Sequence, residues 1–193
     1  MLVRYQIQVH GIVQGVGFRP FIYVLAEELG LTGWIYNHAA GVTIEIQGEE
    51  TVCREFQKRL QTDRPALSRI DQVESQLIPV QRETEFVIRE SRSGEKNTLV
   101  SPDMGVCDDC LQELWDPSDR RYRYAFINCT NCGPRFTIIE NLPYDRPMTT
   151  MKDFPLCSDC AREYRDPHNR RFHAQPVACP VCGPQLAFLD KGG

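Results

Sequence analysis

A chain of 193 residues with an apolar fraction of 41% can build one medium core or two small ones. Its net charge of −4 excludes the broad positive field that draws proteins to nucleic acid or to anionic membranes. No apolar run approaches the ~18 residues of a membrane span, and the opening MLVRYQIQVHG alternates around Arg4, as a strand does and a secretory leader does not. The expectation is a cytoplasmic protein that binds neither nucleic acid nor membrane.

In chain order, Val3, Tyr5, Ile7 and Val9 alternate with polar residues and predict a half-buried strand. FRPFIYVLAEELG places Phe18, Phe21, Ile22, Leu25 and Leu29 on one helical face, with Gly30 as the stop. GWIYN and VTIEIQ predict two strands joined through HAAG as a hairpin, and EETVCREFQKRLQ predicts a second helix with Val52, Phe56, Arg59 and Leu60 along one side. RIDQVESQLIPV and TEFVIRE predict two further strands. The order β-α-β-β-α-β, with a terminal strand pair, is that of an α+β, ferredoxin-like domain over residues 1–91. SRSGEKNT has no apolar residue, so residues 92–100 are expected to be a linker.

The remainder, residues 101–193, is an internal duplication. CDDCLQELWDPSDRRYRYAFINCTNCGP aligns without gaps to CSDCAREYRDPHNRRFHAQPVACPVCGP at an offset of 50, which gives units of about 105–140 and 155–190. Each unit reads C-x2-C-x18-C-x2-C. Two C-x-x-C turns at such a separation aim four thiolates at one point, the tetrahedral preference of zinc. The ligands are expected to be Cys107, Cys110, Cys129, Cys132, Cys157, Cys160, Cys179 and Cys182, with Cys53 left out. His168 and His173 correspond to Ser118 and Arg123 in the other unit, which argues against histidine ligation. Four thiolates leave no open position on the metal, so two structural zinc ions are expected, standing in for a core that ~40 residues hardly build. Pairing of turns within a unit and crossed pairing both satisfy the spacing. The region holds 11 Lys and Arg against 13 Asp and Glu, so phosphate-backbone binding is not its task. The repeated Arg120-Arg121 and Arg170-Arg171 pairs are suited to neutralising the thiolates.

The stretch HGIVQGVGFRPF poses a sharper question, because Gly15 and Gly17 uncover backbone N–H groups just before a helix. Bare amides feeding a helix N-terminus form an anion cradle. Arg19 beside the positive end of a helix dipole is unfavourable unless an anion lies between them. The same spacing also fits a tight strand–helix turn with a solvated arginine. GIVQGVGFR, followed by GWIYN and GVTIEIQG, closely resembles the acylphosphatase family over about residues 1–91. That resemblance implies phosphate binding by the amides of Gln14, Gly15, Val16, Gly17 and Phe18, a clamp at Arg19, and an attacking water positioned by Asn37. Members often carry Asp-Gly in the hairpin, where this chain has Ala40-Gly41.

With the tandem cysteine units behind it, the whole chain resembles the N-terminal part of the HypF-type carbamoyltransferases of [NiFe]-hydrogenase maturation. The resemblance implies hydrolysis of carbamoyl phosphate to carbamate and phosphate, with the zinc module as a scaffold to further domains. ATP is implied only for those further domains, which pass the carbamoyl group to a HypE-type acceptor protein. Two other readings are a general acylphosphatase and a catalytically silent interaction module on a zinc scaffold. His10 and His38 flank the loop and the asparagine and read as strand-end histidines.

Overall fold

The computed structural model describes residues 1–38, 40–91 and 102–191. The expected linker, 92–100, and hairpin residue 39 lie outside them. Strands β1 (Leu2–Ile12), β2 (Thr32–His38), β3 (Gly41–Glu49), β4 (Arg69–Ile78) and β5 (Phe86–Ile88) form one sheet in the order β4-β1-β3-β2-β5. All neighbours are antiparallel except β2 and β5. Helices α1 (Phe18–Glu28) and α2 (Glu50–Thr62) cover one face. The α+β, ferredoxin-like arrangement expected from the strand and helix periodicities is what forms.

The core lies between sheet and helices. Ile7, Val9, Ile35, Val42, Ile44 and Ile46 meet Phe18, Ile22 and Leu25 of α1 and Phe56 and Leu60 of α2. Every residue of this cluster lies within residues 1–91, so the domain owns its core. One expectation for α2 needs correction. Cys53, not Arg59, shares the buried face with Phe56 and Leu60, at the i, i+3, i+7 spacing. Arg59 turns outward to Asp63 and Glu28. On the other face of the sheet Arg4 is fully buried, and its guanidinium bonds Glu45 at 2.6 Å and Glu83 at 2.7 Å.

The register sets the geometry of the site. Val42 of β3 lies opposite Val9 of β1 on one side and Asn37 of β2 on the other. The end of β2 is therefore held one strand away from the end of β1, where the glycine loop begins.

In each cysteine unit the first C-x-x-C opens a short helix, α3 (Asp108–Trp115) or α4 (Ser158–Arg165). The repeated D-P-x-D/N-R-R turn follows. Asp116 and Asp119 accept the backbone N–H groups of Ser118 and Arg121, and Asp166 and Asn169 accept those of His168 and Arg171. These turns send the arginines across to the opposite unit. Arg121 bonds Glu163 at 2.5 Å and donates to the Ala178 carbonyl at 2.9 Å. Arg171 pairs with Glu113 and donates to the Asn128 carbonyl at 3.1 Å. Arg120 reaches Cys160 Sγ at 3.2 Å and Arg170 reaches Cys110 Sγ at 2.9 Å. The arginines do reach the cage sulfurs, but each pair reaches the other unit's cage.

Burial alone would raise the Glu163 carboxyl, yet hydrogen bonds from Arg121 and Arg120 hold it down at about 2. Arg121 is 1% exposed, so losing its partner strands a buried cation. Glu163→Gln is expected to destabilise residues 102–191 by roughly 3 kcal/mol, and Glu113→Gln by a similar amount. Urea unfolding read by hydrogen exchange in both units checks this; protection unchanged in either variant would show that the exchange carries no stability.

Candidate active site and metal centres

Between β1 and α1 the chain runs Val13-Gln14-Gly15-Val16-Gly17. Gly15 has φ 71° and Gly17 φ 76°, both left-handed, and Gly17 is the N-cap of α1. Arg19 and Pro20 occupy the first turn of α1, where the proline's missing N–H costs no helical bond. The glycines do a second job that their spacing did not reveal. A Cβ on Gly15 would lie 2.7 Å from Pro134 Cβ and 3.0 Å from the Tyr144 ring, and one on Gly17 would lie 3.2 Å from Thr130 Cβ. The cysteine module packs directly onto the loop, and only bare backbone lets it approach so closely.

The result is a narrow cleft between the loop and the cysteine module. Gln14, Gly15, Gly17, Phe18 and Arg19 line one wall and Asn37 joins them from β2, so six of the seven predicted site residues converge. The seventh, Val16, turns its side chain into the core. The facing wall comes from the second half of the chain: Asn128, Thr130, Tyr144 and His173.

The side chains divide into engaged and unengaged. Gln14 donates to the carbonyls of His38 at 2.8 Å and Gly41 at 3.0 Å, and accepts the Tyr144 N–H at 3.1 Å. Its side chain thus fastens loop, hairpin and cysteine module together. Arg19 is 8% exposed and pairs through Nη2 with Asp145 Oδ1 at 2.7 Å, with Ser91 Oγ 3.4 Å from Nη1. The solvated-arginine reading is therefore excluded. Asn37, 1% exposed, has no partner for either amide atom among the described residues, and the same is true of Asn128, 2% exposed. Burial, with Arg19 adding to it, pushes the His173 imidazole down to about 4, so this ring is neutral near pH 7. His10 and His38 both bond to Ala40 and sit at the hairpin outside the cleft.

Asn128, Tyr144, Asp145 and His173 were not singled out as site residues from the sequence. One signal was available for Asn128: its counterpart in the gap-free duplication is Ala178. Asp145 and Tyr144 lie in the spacer between the units and carry no such mark.

The cysteines gather within units. Cys107, Cys110, Cys129 and Cys132 form one group and Cys157, Cys160, Cys179 and Cys182 the other, with all Sγ atoms of a group within 4.8 Å of one another. Crossed pairing does not occur. Four sulfurs each about 2.3 Å from one zinc would stand about 3.8 Å apart at the corners of a tetrahedron. The Sγ separations include 3.5, 3.6 and 3.9 Å in the first unit and 3.7 Å twice in the second, and all eight cysteines are free thiols. The donor sets fit zinc, and neither contains a histidine.

The family model of acylphosphatase matches residues 5–88, and that of the HypF finger matches residues 106–139 and 156–189. The carbamoyltransferase HypF of Synechocystis is 54% identical over 151 residues, which cover 78% of this chain and 20% of that protein. The chain thus spans about a fifth of the length of the curated HypF relatives it matches. An acylphosphatase of Lactobacillus johnsonii is 38% identical over 73 residues, 37% of this chain and 80% of that protein. A crystal structure of full-length HypF in its phosphate- and nucleotide-bound form superposes with a TM-score of 0.96 at 53% identity, covering 100% of this chain and 26% of that one. The chain belongs to the acylphosphatase family, in the form that carries two HypF fingers behind the acylphosphatase domain.

Proposed function

We propose that the cleft hydrolyses carbamoyl phosphate to carbamate and phosphate. The carrying observation is Asn37: a buried amide with both polar atoms unpaired among the described residues, in one cleft with the bare loop and Arg19. The amides of Gln14 to Phe18 and the N-terminus of α1 receive the phosphoryl oxygens. Arg19 keeps donors beyond the one held by Asp145 and places them on the same group. Asn37 orients a water for in-line attack on phosphorus. An amide takes no proton at neutral pH, so the water's proton passes to a phosphoryl oxygen of the substrate. The bond from phosphorus to the carbamoyl oxygen breaks, and the dianion plus water become carbamate and dihydrogen phosphate, each with one negative charge. Catalysis rests on positioning and on charge stabilisation at the phosphoryl group.

Two zinc ions, one in each cysteine cage, supply folding energy to residues 102–191. The similarity to HypF carbamoyltransferases extends the reading beyond this chain. The carbamate is passed on to ATP-dependent carbamoyl-transfer domains and from there to a HypE-type acceptor protein, in the cytoplasm, for [NiFe]-hydrogenase maturation. That a relative was solved with phosphate and nucleotide bound fits a phosphate-releasing site coupled to a nucleotide-using one.

Arg19 and Asn37 are expected to fail differently. Arg19→Ala loses both ground-state phosphate binding and turnover, whereas Asn37→Ala loses kcat with little change in inhibition by inorganic phosphate. Each loss in rate is of order 10² to 10³. Steady-state phosphate release from carbamoyl phosphate reads both; wild-type turnover in the two variants would overturn this site assignment, and absence of turnover in the unsubstituted chain would leave the silent-module reading standing.

Metal analysis is expected to find two zinc ions per chain. Stripping them with a chelator should abolish hydrogen-exchange protection in residues 102–191 and keep it in the sheet domain, whose core is its own. One zinc per folded chain, or joint melting of both halves, would contradict this.

A further inference from the structure

The cleft holds two buried, unpaired asparagines, and they come from different halves of the chain. Asn37 is accounted for by the attacking water. We propose that Asn128 reads the acyl end of the substrate and selects a carbamoyl group over an acetyl group. This rests on the acyl-phosphate reading above and adds to it a residue of the finger module.

A buried amide with neither donor nor acceptor engaged is unfavourable and calls for a partner. The partner it fits is another primary amide. Nδ2 donates to the carbamoyl oxygen while Oδ1 accepts from the carbamoyl NH₂, the two-bond pairing that amide side chains make wherever donor and acceptor stand side by side. Acetyl phosphate offers the carbonyl but puts a methyl where the NH₂ belongs, leaving Oδ1 buried and unpaired. Sites built to bond a substrate N–H reject analogues lacking it for that reason.

The duplication separates this role from a structural one. Asn128 and Ala178 occupy the same position in the two units, and their carbonyls accept the same arginine bond, from Arg171 at 3.1 Å and from Arg121 at 2.9 Å. Each directly precedes a cage cysteine, and each is buried. In the second unit a methyl group satisfies the fold. The amide in the first unit therefore serves something other than the finger, and the first unit is the one whose residue faces the loop cleft.

The test compares the full chain with Asn128→Ala, the residue of the second unit, and with Asn128→Leu, which keeps the volume without the polar atoms. The kcat/KM values for carbamoyl phosphate and for acetyl phosphate are measured together with inhibition by inorganic phosphate, zinc content and thermal midpoint. The carbamoyl-to-acetyl ratio is expected to fall by about tenfold to a hundredfold in both variants, with phosphate inhibition and zinc content retained. Parallel loss on both substrates, no change in either, or weakened phosphate inhibition would overturn the assignment. Loss of zinc in both variants would assign the amide to the fold and overturn it too. If the wild-type chain turns over neither acyl phosphate, the hydrolase reading falls and takes this one with it. Turnover that depends on Arg19 with an unmoved ratio removes the role of Asn128 alone.

Discussion

The exchange of arginines between the two fingers is the interaction on which the second half of the molecule depends. Four thiolates around a divalent ion leave a formal −2, and burying such a charge is costly unless a countercharge is close. Each unit carries its own arginine pair, but the turn that bears it projects away from that unit's cage. Arg120 and Arg121 answer Cys160 and Glu163, while Arg170 and Arg171 answer Cys110 and Glu113. Neither finger is electrostatically complete alone, so the pair forms one body around a pseudo-twofold exchange. That body holds Thr130 and Tyr144 against the glycine loop, and with them the second wall of the cleft.

The fit between the two halves then constrains the loop. Gly15 and Gly17 satisfy two demands at once, positive φ for the turn into α1 and clearance for Pro134, Tyr144 and Thr130. An alanine at either position would pay in backbone strain and would also push the finger wall away. Cleft geometry and domain docking are thereby set by the same two residues.

Much of this was legible in the sequence, and the limits have a physical cause. Periods of two and 3.6 gave the strands and helices in order, because local burial imposes them. Cysteine spacing gave the cages, because four thiolates must meet at one point. Arg59 was misplaced because its long apolar stem mimics a core residue on a helical wheel, while Cys53, small and apolar, was the one buried. The partners of Arg19 and Gln14 were invisible. Asp145 and Tyr144 lie 126 and 130 residues away in sequence, and no local pattern encodes a docking that depends on the folded shape of both domains. Asn128 was legible in principle, because a buried amide where the twin unit keeps only a methyl group marks a place where structure alone does not choose the residue.

The pairing of Arg19 with Asp145 shows how the cleft can be charged and still stable without substrate. A guanidinium in the first turn of a helix opposes the helix dipole, and an acidic partner offsets that opposition. Placed on Nη2, Asp145 also fixes the plane of the guanidinium, so the remaining donors would need no reorganisation for the phosphoryl group of the proposed substrate. On the acyl-phosphate reading the cost is attraction, since Asp145 would repel the same dianion that Arg19 would draw in. A protonated His173 would add attraction, but burial keeps that ring neutral. Positive charge in the cleft therefore rests on Arg19, the loop amides and the helix terminus, all of which act at short range. Such a site gains more from preorganisation than from long-range steering, which suits the proposed hydrolysis, whose barrier is set by how the phosphoryl group and one water are held.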